Sequence, residues 1–176
     1  MKIYMYPLGL VQTNTYLVCN EETKEAIVID ASSEPYELLK VAENYKVKAI
    51  LLTHAHFDHI SGLNEIRKAT GAPVYIHPSE QSWLPDPNLN GSTRWPGVGQ
   101  VVCEKAEFEL EDKQELTLAG FKIQILHTPG HSPGGVSFKF DNGNLFCGDA
   151  LFAGSIGRTD LPGGDYEQLI ESLQDQ

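Results

Sequence analysis

The part of this sequence best suited to chemistry is a short run of histidines and one aspartate. It reads Thr53-His54-Ala55-His56-Phe57-Asp58-His59 and holds three of the six histidines of the chain. Neutral imidazole and carboxylate groups together suit zinc, iron or manganese. The alternative is a pair of structural histidines in a polar turn, and we favour the metal because such ligand sets rarely cluster without one. The run therefore predicts a metal site.

Two later stretches carry residues of the same kinds. One reads His127-Thr128-Pro129-Gly130-His131-Ser132, and the other reads Gly148-Asp149-Ala150. Each follows an apolar run that predicts a strand, and the glycines allow tight turns there. Loops at strand ends on a rigid scaffold are where binding and catalytic side chains concentrate. We expect one site assembled from the three loops.

Predicted strands and helices alternate in a way that can position these loops. Residues 47–52 are apolar and partly β-branched, so they predict a buried strand after which positions 54 and 56 can point the same way. The predicted strands cover residues 2–6, 14–19, 25–30, 47–52, 72–76, 115–118, 121–127, 135–140 and 144–147. Predicted helices cover about 34–45 and 59–69, and a third begins near residue 165. The pattern indicates an α/β (α+β) fold of layered sheets with helices outside.

Local signals mark the ends of several elements. Ser33 can cap the first helix, Gly71 can close the second, and Asp165 can cap the last with Gln168 three residues on. The turn at residues 141–144 predicts a hairpin. The proline- and glycine-rich residues 83–100 predict a long loop, for which a lid or binding loop and a variable surface insertion stay equally open.

Length and composition limit the class of protein. The 176 residues suit a single domain spanning 1–176, and no apolar run approaches the 18 residues of a membrane span. The N-terminus lacks an export signal, and three widely spaced cysteines without a Cys-x-x-Cys pair disfavour a disulfide scaffold or zinc finger. We therefore expect a cytoplasmic protein. The net charge of −11 disfavours nucleic acid as a partner, whereas a homo-oligomer stays open.

The motifs quoted above resemble the signature of the metallo-β-lactamase superfamily. Residues 151–165, which read Leu-Phe-Ala-Gly-Ser-Ile-Gly-Arg-Thr-Asp-Leu-Pro-Gly-Gly-Asp, resemble the glyoxalase II-like branch, that is, hydroxyacylglutathione hydrolase and its bacterial relatives. The likeness begins at Gln12-Thr13-Asn14-Thr15-Tyr16 and runs along essentially the whole chain. It implies a four-layer αββα sandwich.

The resemblance also implies roles for single residues. It places His54, His56 and His131 on one metal and Asp58 and His59 on a second, with Asp149 bridging the two. Two zinc ions are expected, with iron or manganese as alternatives. A metal-bound water of lowered pKa would attack the carbonyl of a small-molecule thioester, and Asp58 could help to orient it. The family does not use His127 as a ligand, and His77, at a predicted strand end, is expected to be structural or at the surface. We expect Arg158 and Asp160 to form an ion pair that shapes their loop.

The sequence departs from the family pattern at one point. The family has a further metal-ligating histidine in a Pro-Gly-His-Gly-like segment beyond the Gly-Asp motif, and this sequence contains no such segment before Gln176. The second metal site would then be incomplete, and the last strand and helix of the fold would be missing. We favour a truncated family member over a segment supplied by another chain or a short variant that binds one metal or none.

Three functions compete at this point. The leading one is a zinc-dependent thioester hydrolase of glyoxalase II type. A persulfide dioxygenase with a single iron held by two histidines and an aspartate is the second, and a metal-binding fragment without full activity is the third. The missing export signal disfavours β-lactam hydrolysis, and the acidic balance disfavours a nuclease.

Overall fold

Two β-sheets pack face to face in the computed structural model, which describes residues 1–176. The first sheet has six strands in chain order: β1 (Lys2–Leu8), β2 (Thr13–Asn20), β3 (Glu25–Ile29), β4 (Lys46–Leu51), β5 (Val74–Ile76) and β6 (Phe108–Glu109). The first three strands are antiparallel, and β3 to β6 run parallel. The second sheet is antiparallel, in the order β10 (Leu145–Phe146), β9 (Val136–Phe140), β8 (Phe121–His127), β7 (Glu115–Leu118). A small hairpin joins β11 (Leu151–Phe152) to β12 (Ser155–Ile156).

Strand β3 is buried on both faces, which places a core on each side of the first sheet. Its side chains alternate between two cores: Ala26 and Val28 belong to the core under the helices, whereas Ile27 and Ile29 belong to the core between the sheets. All four are fully buried, as expected for a strand covered on both faces. The layered sandwich that the sequence predicted is therefore confirmed.

Four α-helices complete the fold: α1 (Tyr36–Ala42), α2 (Phe57–Ile60), α3 (Leu63–Thr70) and α4 (Tyr166–Gln174). Leu38 of α1 and Ile66 of α3 pack into the first core, on the outer face of the six-stranded sheet. Leu169 of α4 is fully buried, and its backbone lies so close to Gly130 that a Cβ there would be 2.4 Å away. None of these helices is long and apolar enough to cross a membrane.

The prediction for the first helix was wrong at both ends. Helix α1 covers only Tyr36–Ala42, and its N-cap is Pro35, without a side-chain cap. Glu34 lies in the left-handed region with φ of 58°, so the chain turns between Ser33 and the helix. This turn keeps Ser33 away from the first free N–H groups of the helix.

The single helix predicted over residues 59–69 is two helices. They break at Gly62, where a Cβ would lie 2.0 Å from the carbonyl oxygen of Ser32. The backbone N–H of Gly62 donates to Ala31, and the N–H of Ala31 donates to His59, both at 2.8 Å. The break therefore fixes α2, which carries Asp58 and His59, against the end of β3.

Other predicted ends are confirmed. Gly71 closes α3 with φ of 66°, and the Asp165 carboxylate caps α4 by accepting the N–H of Gln168 at 3.0 Å. Strands β9 and β10 form the predicted hairpin.

Candidate metal centre

The predicted metal ligands meet where three strands end. The loop after β4 carries His54 and His56, the loop after β8 carries His131, and the segment after β10 carries Asp149. One ligand atom from each of His54, His56 and His131 lies within 4.8 Å of the others. The fold thus brings together the residues that the sequence singled out, and their binding of metal stays a prediction.

The histidine nitrogens of the first group face one another. Nδ1 of His56 lies 2.9 Å from Nε2 of His131, and Nε2 of His54 is buried with no hydrogen-bond partner. Its Nδ1 lies 3.0 Å from the hydroxyl of Thr53, which leaves Nε2 as the atom directed at the cluster. Three imidazole nitrogens this close together are a donor set that suits a transition-metal cation.

A second group shares one histidine with the first. It consists of His54, His59 and Asp149. Nε2 of His59 lies 3.2 Å from Oδ1 of Asp149, while the other oxygen of Asp149 lies 3.5 Å from Nε2 of His131. Asp149 therefore links the second group to His131 of the first. Asp58 is 3.4 Å from Nε2 of His59, and the hydroxyl of Thr13 donates to its carboxylate at 2.6 Å.

Burial and charge set the protonation of the cluster. Burial, with the neighbouring histidines, lowers the pKa of His54 well below its usual range and that of His56 to about 3, so both are neutral at pH 7. Burial also opposes the charged form of His59, but the carboxylates of Asp58, Asp30 and Asp149 outweigh it and raise its pKa. Burial opposes the charged form of Asp149 as well, but the facing His59, more than any other group, outweighs it and lowers the pKa of Asp149 to about 2.

Asp30, which the sequence analysis overlooked, orients this cluster. Its carboxylate accepts the N–H of Thr53 at 2.8 Å, the hydroxyl of Thr53, and Nδ1–H of His59 at 2.8 Å. The last bond leaves Nε2 of His59 free to face Asp149, as carboxylates behind metal-binding histidines commonly do. Asp30 has φ of 60° at the end of β3, and this polar residue after an apolar strand was the available signal.

The run at residues 151–165 holds His131 from the other side. Nδ1 of His131 lies 2.8 Å from the carbonyl oxygen of Arg158 and donates to it, so Nε2 faces the cluster. Gly157, the residue before Arg158, is closely packed: a Cβ there would lie 1.6 Å from the carbonyl oxygen of Asp149 and 3.2 Å from Nδ1 of His131. The predicted ion pair is confirmed, with two N–O distances of 2.7 Å between Arg158 and Asp160.

Glu80 is a second residue that the sequence analysis overlooked. It is fully buried and accepts the backbone N–H groups of Ala55 at 2.5 Å and Gly134 at 2.9 Å. Burial raises the pKa of this carboxyl, although the hydrogen bonds counteract it. Its partners lie 25 and 54 residues away, so no local pattern could have indicated the contact.

His77 and His127 lie apart from the cluster, as expected. Their rings stack on each other, with centroids 4.1 Å apart and planes at 6°. His127 also bonds through Nε2 to the carbonyl oxygen of Pro133 at 3.0 Å.

The donor set fits a metal ion. The buried Nε2 of His54 has no hydrogen-bond partner, which is costly unless another group binds it. Nε2 of His59 also makes no hydrogen bond and faces the carboxylates of Asp58 and Asp149 at 3.4 and 3.2 Å. Three histidines in the first group match a tetrahedral zinc site that keeps one open position.

A cavity of about 690 Å³ opens over the cluster. One wall comes from the long loop at residues 83–100. Its Asn90 carbonyl accepts the N–H of Phe57 at 2.9 Å, and the Trp95 ring lies 5.6 Å from the Phe57 ring. Both Arg94 and Trp95 line the cavity. Of the two alternatives for this loop, the structure therefore favours a binding loop.

The family follows from comparison with known proteins. The model of the metallo-beta-lactamase superfamily matches residues 8–176, so the chain belongs to that superfamily, as the motifs indicated. The "probable metallo-hydrolase YqgX" of Bacillus subtilis is 39% identical over 179 residues, covering all of this chain and 83% of the relative. The "hydroxyacylglutathione hydrolase GloC" of Haemophilus influenzae is 32% identical, covering 99% of this chain and 83% of the relative.

Solved structures of differently named proteins superpose on this chain. The BLEG-1 B3 metallo-beta-lactamase superposes with a TM-score of 0.94 at 42% identity, covering 99% of this chain and 85% of that one. TTHA1623, solved in a di-iron-bound form, has a TM-score of 0.79 at 38% identity, covering 98% and 84%. ETHE1 from Myxococcus xanthus has a TM-score of 0.78 at 28% identity, covering 99% and 68%.

Proposed function

We propose that this chain is a zinc-dependent hydrolase of small-molecule thioesters. The observation that carries the proposal is the clustering of His54, His56, His59, His131 and Asp149 under an open cavity, with Nε2 of His54 buried and without a hydrogen-bond partner. Similarity to GloC and the resemblance of residues 151–165 to the glyoxalase II-like branch support the substrate class.

His54, His56 and His131 would hold one zinc ion, and His59 and Asp58 would hold a second, with Asp149 between them. When bound, the metal would supply Lewis acidity and a water of lowered pKa. The neutral state of His54 and His56 at pH 7 keeps their lone pairs available for this role. Iron or manganese would suit the same donors, and di-iron binding by TTHA1623 keeps that alternative open.

Residues around the cluster would orient the water molecule and bind the substrate. Thr13 holds the carboxylate of Asp58 at the cavity, where it can orient a water molecule or accept its proton. Trp95, which lines one wall of the cavity, would contact the body of the substrate. A thiolate is a good leaving group, so the site has no need of a separate general acid.

The test is hydrolysis of simple acyl thioesters by the zinc-loaded chain, with the release of the thiol measured as the readout. His131→Ala should lower kcat/KM at least a hundredfold, because it removes a donor of the first group. His77→Asn is the matched control, since it removes an imidazole outside the cluster, and it should keep activity within about twofold. Full activity of the His131→Ala variant would refute the site.

A second candidate function is hydrolysis of β-lactams, which the sequence analysis disfavoured and the similarity to BLEG-1 favours. Persulfide oxidation, the alternative with a single iron that the sequence left open, also stays a candidate. The same preparation should therefore be offered a chromogenic β-lactam and, with iron loaded, a persulfide under measurement of oxygen uptake. Faster turnover of either substrate than of every thioester would replace the thioester proposal.

A further inference from the structure

Glu80 lies on an element that carries no metal ligand. It belongs to the 3-10 turn Pro78–Trp83, which follows β5, and its side chain is completely buried. A carboxylate in such a position is costly unless its oxygens find partners. Neither the motifs of the sequence nor the proposed reaction uses this residue.

The partners of Glu80 belong to the two loops that hold the first metal group. Oε2 accepts the N–H of Ala55, which lies between His54 and His56, and Oε1 accepts the N–H of Gly134, three residues after His131. One side chain thus ties both loops together, close to where Nδ1 of His56 and Nε2 of His131 are 2.9 Å apart.

The chemistry of the contact is specific to a carboxylate. Two N–H donors need two acceptors, and among side chains of this length only an ionised glutamate offers two acceptor oxygens and no donor. Space is equally restricted, because a Cβ on Gly134 would lie 2.8 Å from Cγ of Glu80. Glutamine would place an NH₂ group against one of the two buried N–H donors.

We propose that Glu80 is a positioning residue that sets the spacing of the His54–His56 loop and the His131 loop, and thereby the affinity of the site for metal. The proposal rests on the metal binding proposed above and is independent of the substrate. Groups behind metal ligands typically change metal affinity ten- to a hundredfold when they are removed.

The experiment is a competition between the chain and a chromophoric chelator for zinc. Glu80→Gln should raise the zinc dissociation constant ten- to a hundredfold, and should change the visible absorption of the cobalt-loaded chain because the ligand geometry relaxes. Glu107→Gln is the control, since that carboxylate also accepts a backbone N–H, from Val74 at 2.7 Å, but is exposed and belongs neither to the ligand groups nor to the cavity lining. It should bind zinc normally.

A second control separates positioning from general stability. Leu38→Ala should destabilise the core under the helices yet leave zinc affinity within about twofold. If Glu80→Gln melts lower without metal but binds zinc as the unmodified chain does, with an unchanged cobalt spectrum, Glu80 is only structural and the proposal is overturned.

Two further outcomes are decisive. If Glu80→Gln does not fold, Gly134→Ala makes the same test from the other loop, because the added methyl group displaces the carboxylate. Weaker zinc binding supports the proposal, and normal zinc binding overturns it. If the unmodified chain binds no zinc, the proposed metal site fails, and this inference fails with it.

Discussion

At the scale of single residues, glycines decide how closely the loops of the metal centre approach. Gly157 and Gly130 each lie where a Cβ would overlap backbone from another segment. The Gly157 contact joins the segment after β12 to Asp149, and the Gly130 contact joins the His131 loop to α4. Their effect is on the position of ligands, which is why substitutions there should affect both stability and metal binding.

Gly157→Ala is expected to destabilise the chain by about 3 kcal/mol or more, because the methyl group would overlap the carbonyl of Asp149 and force the segment to move. Zinc affinity should fall as well. The measurement is urea unfolding combined with zinc titration. Gly154→Ala is the control: its surroundings are open, and its φ of 76° should cost only about 1–2 kcal/mol while zinc affinity is kept. Equal losses in the two variants would contradict the overlap.

His77 gives a prediction for pH. Burial, and then the charge of His127, lowers its pKa in the folded chain to about 4, whereas an unfolded histidine titrates near 6.5. Below pH 6.5 the unfolded chain therefore binds a proton that the folded chain does not, and stability falls until about pH 4. His77→Asn should reduce this fall. Urea midpoints of the metal-free proteins at pH 7.5 and pH 5 provide the test, and an equal fall in both proteins would refute it.

At the scale of elements, much of the site could be predicted because its ligands follow strands with clear apolar patterns. The apolar patterns and the residue types alone were enough to identify His54, His56 and His131 as candidate ligands. The contacts of Asp30 and Glu80 could not be predicted, because their partners come from distant segments; only the position of Asp30, a polar residue after an apolar strand, gave a signal. Gly62 was missed for a similar reason: the helical pattern of residues 59–69 continues through it, and only the carbonyl of Ser32 explains the break.

In the loop at residues 83–100, Trp95 is the residue placed to contact a substrate. The Trp95 ring is 41% exposed, lines the cavity and packs on Phe57. Trp95→Ala should raise KM for thioesters with an apolar acyl group about three- to tenfold, as expected for loss of one aromatic contact, and leave kcat within about twofold. Steady-state kinetics measure the two separately. Tyr36→Ala, which removes an exposed aromatic ring on α1, should change neither constant.

At the scale of the whole molecule, the candidate metal centre lies where both sheets, the loops that carry the predicted ligands and α2 meet. The second sheet supplies His131 and Asp149 through the segments after β8 and β10, and the first supplies His54 and His56 after β4. A metal ion bound there would connect the two sheets directly. Ligands that bind only the folded state stabilise it in proportion to the logarithm of their concentration.

Removal of zinc should therefore lower the melting temperature of the entire domain. At a free zinc concentration of 100 times the dissociation constant, binding contributes about 2.7 kcal/mol. For a chain of this size, that corresponds to a shift of about 5–11 °C on treatment with a chelator. The His131→Ala variant should show a much smaller shift, because its first metal group is broken. Calorimetry with parallel metal analysis makes the test: an unchanged melting temperature after complete loss of zinc would show that the ion does not link the sheets.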